Sequence, residues 1–317
     1  MIMRKIKYKK YIYKWLQDKK NYIKESTYSN YSNIIFNYII PFLGNYYIDS
    51  LNNYIIQNYI LFLFEKGGKD NKGLSLKTIK DILMIIKSSI KKSFYEYNIK
   101  PFSLKFNYPK IDNIKKMNIL SKEEQNKIVK YILNNINNNN VGILLSLILG
   151  IRIGELCALK WGDFDLNNEI ISINKTIQRI YIKDIDKKET KIIISSPKTL
   201  SSNREIPITK DIIYILNKIK TNNNDYFLSG NNKYIEPRSY RNYFNNLLKK
   251  LNIKHYKFHS LRHTFATNCI SYGFDYKIVS ELLGHSNINT TLNIYVHPKM
   301  SQKKECINNL CKNFKQL

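Results

Sequence analysis

Cysteine and arginine are scarce in this chain. Four cysteines in 317 residues, Cys157, Cys269, Cys306 and Cys311, show no C-x-x-C spacing. The absence of that spacing argues against a zinc or redox site, and so few thiols exclude a disulfide framework. Acid is scarce too: 24 Asp plus Glu face 52 Lys plus Arg, a formal net charge of +28. A long hydrophobic run is missing. The longest, residues 141–151, is too short to span a bilayer and suits a buried helix. Residues 1–15 mix basic and aromatic side chains without the apolar stretch of a signal peptide. The expected location is the cytoplasm, with no membrane partner.

What is present is core-forming material. The apolar share is 43% and the aromatic share 13%, so general disorder is excluded. The length suggests about two domains. A charge excess of this size points to a polyanion, nucleic acid or an anionic membrane surface. Asn, Ile, Lys and Tyr, the residues of AT-rich codons, saturate the chain, so lysine number alone does not define a ligand. Arginine does not follow that drift: Arg4, Arg152, Arg179, Arg204, Arg238, Arg241 and Arg262 are all there are.

The first hundred residues read as four helices. Tyr11, Ile12, Trp15 and Leu16 mark the first. Ser26 or Thr27 is the expected N-cap of a second, carrying Tyr31, Ile34, Ile35 and Tyr38 and stopped by Pro41 and Gly44. A third spans about residues 53–66, ended by Gly67-Gly68. Ser75 caps a fourth, with Ile79, Ile82, Leu83, Ile86, Ile90 and Phe94 at 3.6-residue spacing. Its other face shows Lys77, Lys80, Lys87, Lys91 and Lys92. Residues 99–116, with Pro101 and Pro109, read as a linker. Ser121 to Glu124 forms a capping box opening the next helix. Residues 134–140 read as an Asn-rich loop, 141–149 as a buried helix. Residues 170–174, 176–182, 192–196 and 204–208 are β-rich runs forming one small sheet. Helices resume near Ile212, and Ile307, Leu310, Cys311 and Phe314 give an amphipathic tail. The fold class is therefore mainly α with a small antiparallel β-sheet.

One cluster carries chemistry. His259-Ser260-Leu261-Arg262-His263 sets His259 and Arg262 three residues apart on one helical face, at a helix start that favours phosphate. Arg152 opens a helix with Glu155 near enough to orient it. Lys198 follows Pro197 between two strands, His285 follows Gly284, and Tyr295 lies ten residues later. Each alone has an ordinary explanation, and His263 and Tyr272 are read as packing or surface residues.

Taken in order and spacing, Gly150-Ile151-Arg152-Ile153-Gly154-Glu155-Leu156, Pro197-Lys198-Thr199, His259-Ser260-Leu261-Arg262-His263-Thr264, Leu282-Leu283-Gly284-His285-Ser286 and Thr290-Thr291-Leu292-Asn293-Ile294-Tyr295 resemble the tyrosine recombinase family of the phage-integrase type. Ser26-Thr27-Tyr28 and Ile40-Pro41-Phe42-Leu43-Gly44 resemble its core-binding domain. The resemblance implies a helical, SAM-like core-binding bundle over residues 1–108 and a catalytic domain over 109–317 with a tail helix, closing as a C-shaped clamp on DNA. It implies that Tyr295 attacks a scissile phosphate, giving a 3′-phosphotyrosyl enzyme and a free 5′-hydroxyl. Arg152 and Arg262 hold the non-bridging oxygens, Lys198 protonates the leaving oxygen, and His259 moves protons around the tyrosine. His285 bonds the phosphate, and Glu155 steers Arg152 and His259. Lys77, Lys80, Lys87 and Lys91 are the candidate DNA-backbone contacts.

The link formed with Tyr295 conserves the phosphodiester energy, so no cofactor, ATP or metal is required. The implied partners are double-stranded DNA attachment sites, a homotetramer on that DNA and an excision factor. Gly154 stands where many relatives carry Ser, and the hairpin between Thr176 and Ser196 is longer than the family minimum, with an acidic-basic insert Asp184–Lys191. The chain begins almost at its core-binding helix, so an arm-site domain is not expected. Integration or excision of a mobile element is the favoured role. Chromosome- or plasmid-multimer resolution and a catalytically silent DNA-binding regulator are the alternatives.

Overall fold

The computed structural model describes residues 6–68, 70–109, 118–184, 188–197, 200–295, 300, 304 and 307–308. Two compact units emerge: residues 1–115 with 180–191, and residues 116–179 with 192–317.

The first unit is helical, with α1 (Tyr8–Lys19), α2 (Glu25–Ile34), α3 (Ile40–Leu43), α4 (Asn53–Lys66) and α5 (Leu76–Glu96). Tyr8, Ile12, Trp15 and Leu16 of α1 and Ile79, Ile82, Ile86 and Ile90 of α5 are buried in one core. Buried hydroxyls need partners. The Tyr8 hydroxyl meets Ser89 Oγ at 2.7 Å, and Tyr11 Oη donates to Ser89 O at 3.1 Å. Asn52 caps α4 and Ser75 caps α5 through side-chain oxygens. Residues 99–109 carry neither helix nor strand.

Two expectations fail here. Neither Ser26 nor Thr27 caps α2; the helix starts at Glu25, whose acid complements the N-terminal dipole. Nor does Pro41 stop the helical path. A π-turn, Ile35–Ile39, precedes α3 and makes room for the proline ring, and Gly44 closes the run. Tyr38 O, in that widened turn, accepts from Tyr59 Oη at 2.5 Å.

Of the α5 lysines, Lys77, Lys80 and Lys91 are exposed and Lys87 half-buried. Lys80 lies 5.3 Å from the Tyr108 ring and Lys87 5.0 Å from Phe106. Lys92 is engaged by Asp18 and Glu96 at 2.9 and 3.0 Å.

The second unit contains α6 (Lys122–Asn134), α7 (Asn138–Leu149), α8 (Ile153–Leu156), α9 (Lys210–Asn217), α10 (Pro237–Lys250), α11 (His259–Ser271), α12 (Tyr276–Leu283) and α13 (Ile288–Tyr295). Its strands are β1 (Phe164–Asp165), β2 (Ile170–Ile173) and β5 (Arg204–Pro207); β3 (Thr176–Lys183) and β4 (Lys188–Ser195) form a hairpin of which residues 180–191 belong to the first unit. The capping box of α6 is present in full: Glu124 N donates to Ser121 Oγ, and Ser121 N to Glu124 Oε2.

The one sheet expected is two. β1–β2–β5 is antiparallel with β2 central and Ile171 opposite Phe164 and Ile206, while among the described residues β3 and β4 pair with each other alone. The hairpin's open edge is satisfied by helix side chains instead. Ser29 Oγ accepts from Tyr181 N and donates to Tyr181 O, Ser32 Oγ does the same at Lys183, and Lys191 pairs with Glu25. The Asn-rich loop is shorter than expected, because Asn137 Oδ1 accepts from Asn140 N and starts α7 within it.

Candidate functional site

The site is built where α7 ends, α8 and α11 begin, and the turn after α12 passes. α7 packs along α11 and stops at Gly150, a left-handed residue with φ +67°. A Cβ there would meet Phe265 at 2.6 Å, so only glycine fits. Gly284 ends α12 in the same way, at φ +63°. These terminations present carbonyls inward, where arginines use them. Arg262, 1% exposed, donates to Gly150 O at 2.8 Å and Leu283 O at 2.5 Å. Arg152 donates through Nη2 to Gly284 O at 3.0 Å.

Glu155 is the acidic hub. It is 3% exposed and accepts from the Arg152 amide at 3.0 Å, Arg152 Nη1 at 2.6 Å, and Arg204 Nη1 and Nη2 at 3.2 and 3.0 Å. Burial pushes its carboxyl upward, but the Arg204 hydrogen bond and charge, then Arg152, outweigh that and hold it below the usual range.

Arg204 received no role from the sequence. It is 6% exposed on its side chain, and its Nε also donates to Leu282 O at 2.7 Å. It ties Glu155 to the turn whose next two carbonyls hold Arg262 and Arg152. The scarcity of arginine was the signal that could have found it.

Three arginines with one shared carboxylate leave the site cationic. Burial and the Arg152 charge lower the Arg262 guanidinium to about 9. His259 and His285 are both lowered to about 4. Burial is the main cause in each; His263, Arg262 and Arg152 add to it at His259, and Arg262 and Arg152 at His285. One side of His259 still meets solvent, and His285 Nδ1 lies 2.9 Å from Thr291 Oγ1.

These values set a pH dependence. A histidine held at about 4 in the fold and near 6.5 in the unfolded chain favours folding fully above 6.5. That contribution is lost as pH falls from 6.5 to 4. In the free protein the thermal midpoint is expected to fall across that window, and less steeply in His285→Gln; equal slopes would refute the assignment.

Tyr295 is 7% exposed at the end of α13. Burial raises its phenol, with Arg262 and Arg152 opposing. Its hydroxyl lies 2.7 Å from Nδ1 of His263, not on His259. The reading of His263 as a packing or surface residue is thereby corrected: it is half-buried and bonded to the candidate nucleophile. Tyr272 is exposed and takes a bond from Lys122.

The structure thus brings together Arg152, Glu155, His259, Arg262, His285 and Tyr295. Lys198 lies outside the described residues, as do Leu310, Cys311 and Phe314 of the tail. Ile307 is exposed. Among the described residues no cluster of His, Cys, Asp or Glu could hold a metal ion, and no helix is long and apolar enough to cross a membrane.

The Phage integrase family matches residues 112–302, and the Phage integrase, N-terminal SAM-like domain matches 7–64. A XerC-like tyrosine recombinase of Caldanaerobacter subterraneus subsp. tengcongensis is 32% identical over 187 residues, 53% of this chain and 47% of that protein. The transposase from transposon Tn916 of Enterococcus faecalis is 27% identical over 237 residues, 67% of this chain and 57% of that protein. The chain therefore spans about half the length of these curated relatives. The structure of the Tn1549 transposon integrase in complex with transposon right end DNA aligns with a TM-score of 0.76 at 23% identity, covering 96% of this chain and 100% of that one. At that identity the likeness shows the fold.

Proposed function

Since this chain belongs to the phage integrase family, we propose that it is a tyrosine recombinase that cleaves and rejoins duplex DNA through a 3′-phosphotyrosyl intermediate. One observation carries the proposal: a buried tyrosine hydroxyl stands beside a cationic pocket whose carboxylate, Glu155, is already shared by two arginines. Such a pocket selects an anion with exposed oxygens, and a phosphodiester placed there meets the Tyr295 oxygen.

The roles follow from donors and charge. Arg152 and Arg262 each give two of five N–H groups to protein acceptors, and the others serve the non-bridging phosphate oxygens. Preorganised donors of this kind stabilise charge that develops in the transition state. Tyr295 attacks phosphorus, the 3′-phosphate becomes attached to its oxygen, and the 5′-oxygen leaves, protonated by Lys198. His285 faces the phosphate, and His259 lines the open side. Glu155 fixes the first arginine. The attached phosphate keeps its bond energy, so a second 5′-hydroxyl can reverse the step without ATP.

Residues 1–108 act as the core-binding domain and 109–317 as the catalytic domain. Lys77, Lys80, Lys87 and Lys91 supply salt-sensitive contacts to the DNA backbone. Strand exchange between two attachment sites brings four copies together, with an excision factor setting direction. Likeness to the Tn916 transposase favours a mobile element; likeness to a XerC-like recombinase keeps multimer resolution as the second reading.

The test uses duplexes of randomised sequence, nicked so that the cleaved 5′-fragment diffuses away. The expected product is a denaturant-stable protein–DNA adduct that maps to the Tyr295 peptide. No adduct from any duplex, with DNA binding intact, would leave the silent-regulator reading instead.

A further inference from the structure

We propose that His263 is the base that takes the Tyr295 proton during attack, so the nucleophile is activated by the histidine after the second arginine and not by the histidine that opens the motif. The inference rests on the recombinase reading above and names a further catalytic residue within it.

The geometry separates the two histidines. His259 and His263 stand one turn apart on α11, with ring centroids 4.5 Å apart and planes at 83°. The outer ring, His259, opens that helix. The inner ring, His263, turns Nδ1 to the Tyr295 hydroxyl at 2.7 Å, within the reach a general base needs. The phenol and imidazole rings are 5.6 Å apart, held by Tyr295 packing among Phe265, Ala266, Val279 and Leu283.

The charged and titratable groups facing His263 are Arg262 and His259 on its own helix and Tyr295 from α13. Burial, then the Arg262 charge, lowers its imidazole, so the ring is neutral at pH 7 and able to accept. Burial keeps the phenol protonated, so it has a proton to give. In the resting state Nδ1 accepts from Oη and the ring hydrogen sits on Nε2.

The step balances. As the Oη–P bond forms and the P–O5′ bond breaks, the phenol proton passes to Nδ1 of His263, and Lys198 supplies the proton of the leaving 5′-hydroxyl. On rejoining, the incoming 5′-hydroxyl returns its proton to Lys198. The departing phenolate recovers its proton from the His263 imidazolium. The Arg262 charge beside that imidazolium favours its return to neutrality.

The test compares wild type, His263→Asn, His263→Ala and His259→Asn on a nicked duplex that the wild type captures. Single-turnover adduct formation is followed from pH 5 to 9. Asparagine can hold the hydroxyl but cannot carry its proton. His263→Asn is expected to slow capture by about 10²- to 10⁴-fold, with DNA affinity within about twofold. The fall in rate at acid pH expected of the wild type should vanish in His263→Asn and persist in His259→Asn. Added imidazole should restore part of the His263→Ala rate. A 5′-bridging phosphorothiolate, whose sulfur leaves without a proton, should rescue Lys198→Ala but not His263→Asn. A folded His263→Asn within about threefold of wild type, or one that keeps the acid limb, would overturn the base assignment alone. A wild type giving no adduct would overturn the recombinase reading and this assignment together.

Discussion

Tyr295→Phe is expected to abolish covalent capture of DNA, a loss of at least about 10⁴-fold, as when an enzyme loses its nucleophile. The substitution removes one oxygen and keeps the ring. The ring makes the packing contacts with Phe265, Val279 and Leu283, so the fold should stand. What is lost is the bond to His263 at 2.7 Å, worth about 1 kcal/mol in stability. Duplex affinity should change by no more than about twofold, since phosphate contacts spread over many cations carry it. The measurement pairs denaturing gels for the adduct with gel shifts for binding. Residual adduct in Tyr295→Phe would place the nucleophile elsewhere.

Glu155→Gln is expected to cost about 3–5 kcal/mol of stability, the usual consequence of breaking a buried ion pair from one side. The amide would fit the space but not the charge. Four hydrogen bonds converge on the carboxylate, two from Arg152 and two from Arg204. Without it both guanidinia face each other and Arg262 uncompensated. The carboxyl is held below its unfolded value, so its stabilising effect is full above the ordinary carboxylate range and fades as pH falls through the folded value. Urea unfolding of wild type and variant should therefore differ most near neutrality and converge in acid. A constant gap would mean that shape, not charge, is what Glu155 supplies. Capture of DNA should fall as well, since Arg152 loses the partner that fixes its head group.

Part of the site was legible in the sequence for a simple reason. Residues three or four apart on a helix share a face whatever the rest of the chain does, so His259 and Arg262, or Arg152 and Glu155, could be paired on paper. The same locality made the caps at Ser75 and Ser121 legible, since a cap oxygen and its amide are three residues apart. Pro41 misled because the cost of a proline in a helix can be relieved by a wider turn before it. Arg204 was missed because its partners lie 49 and 78 residues away. His263 was missed because its partner lies 32 residues on, across a turn that only the packing of α12 and α13 sets.

By itself, then, the sequence determined the helical bundle, the basic face of α5, the order of the motif residues and the choice of arginine where bidentate geometry is needed. Local periodicity and side-chain chemistry suffice for those. Only the tertiary structure decided which histidine touches the nucleophile, which arginine completes the Glu155 hub, and that two left-handed glycines offer the carbonyls holding Arg262 and Arg152. Those contacts depend on where α7 and α12 stop and on how they pack, and hydrophobic burial, not spacing along the chain, brings such distant atoms within a hydrogen bond of each other.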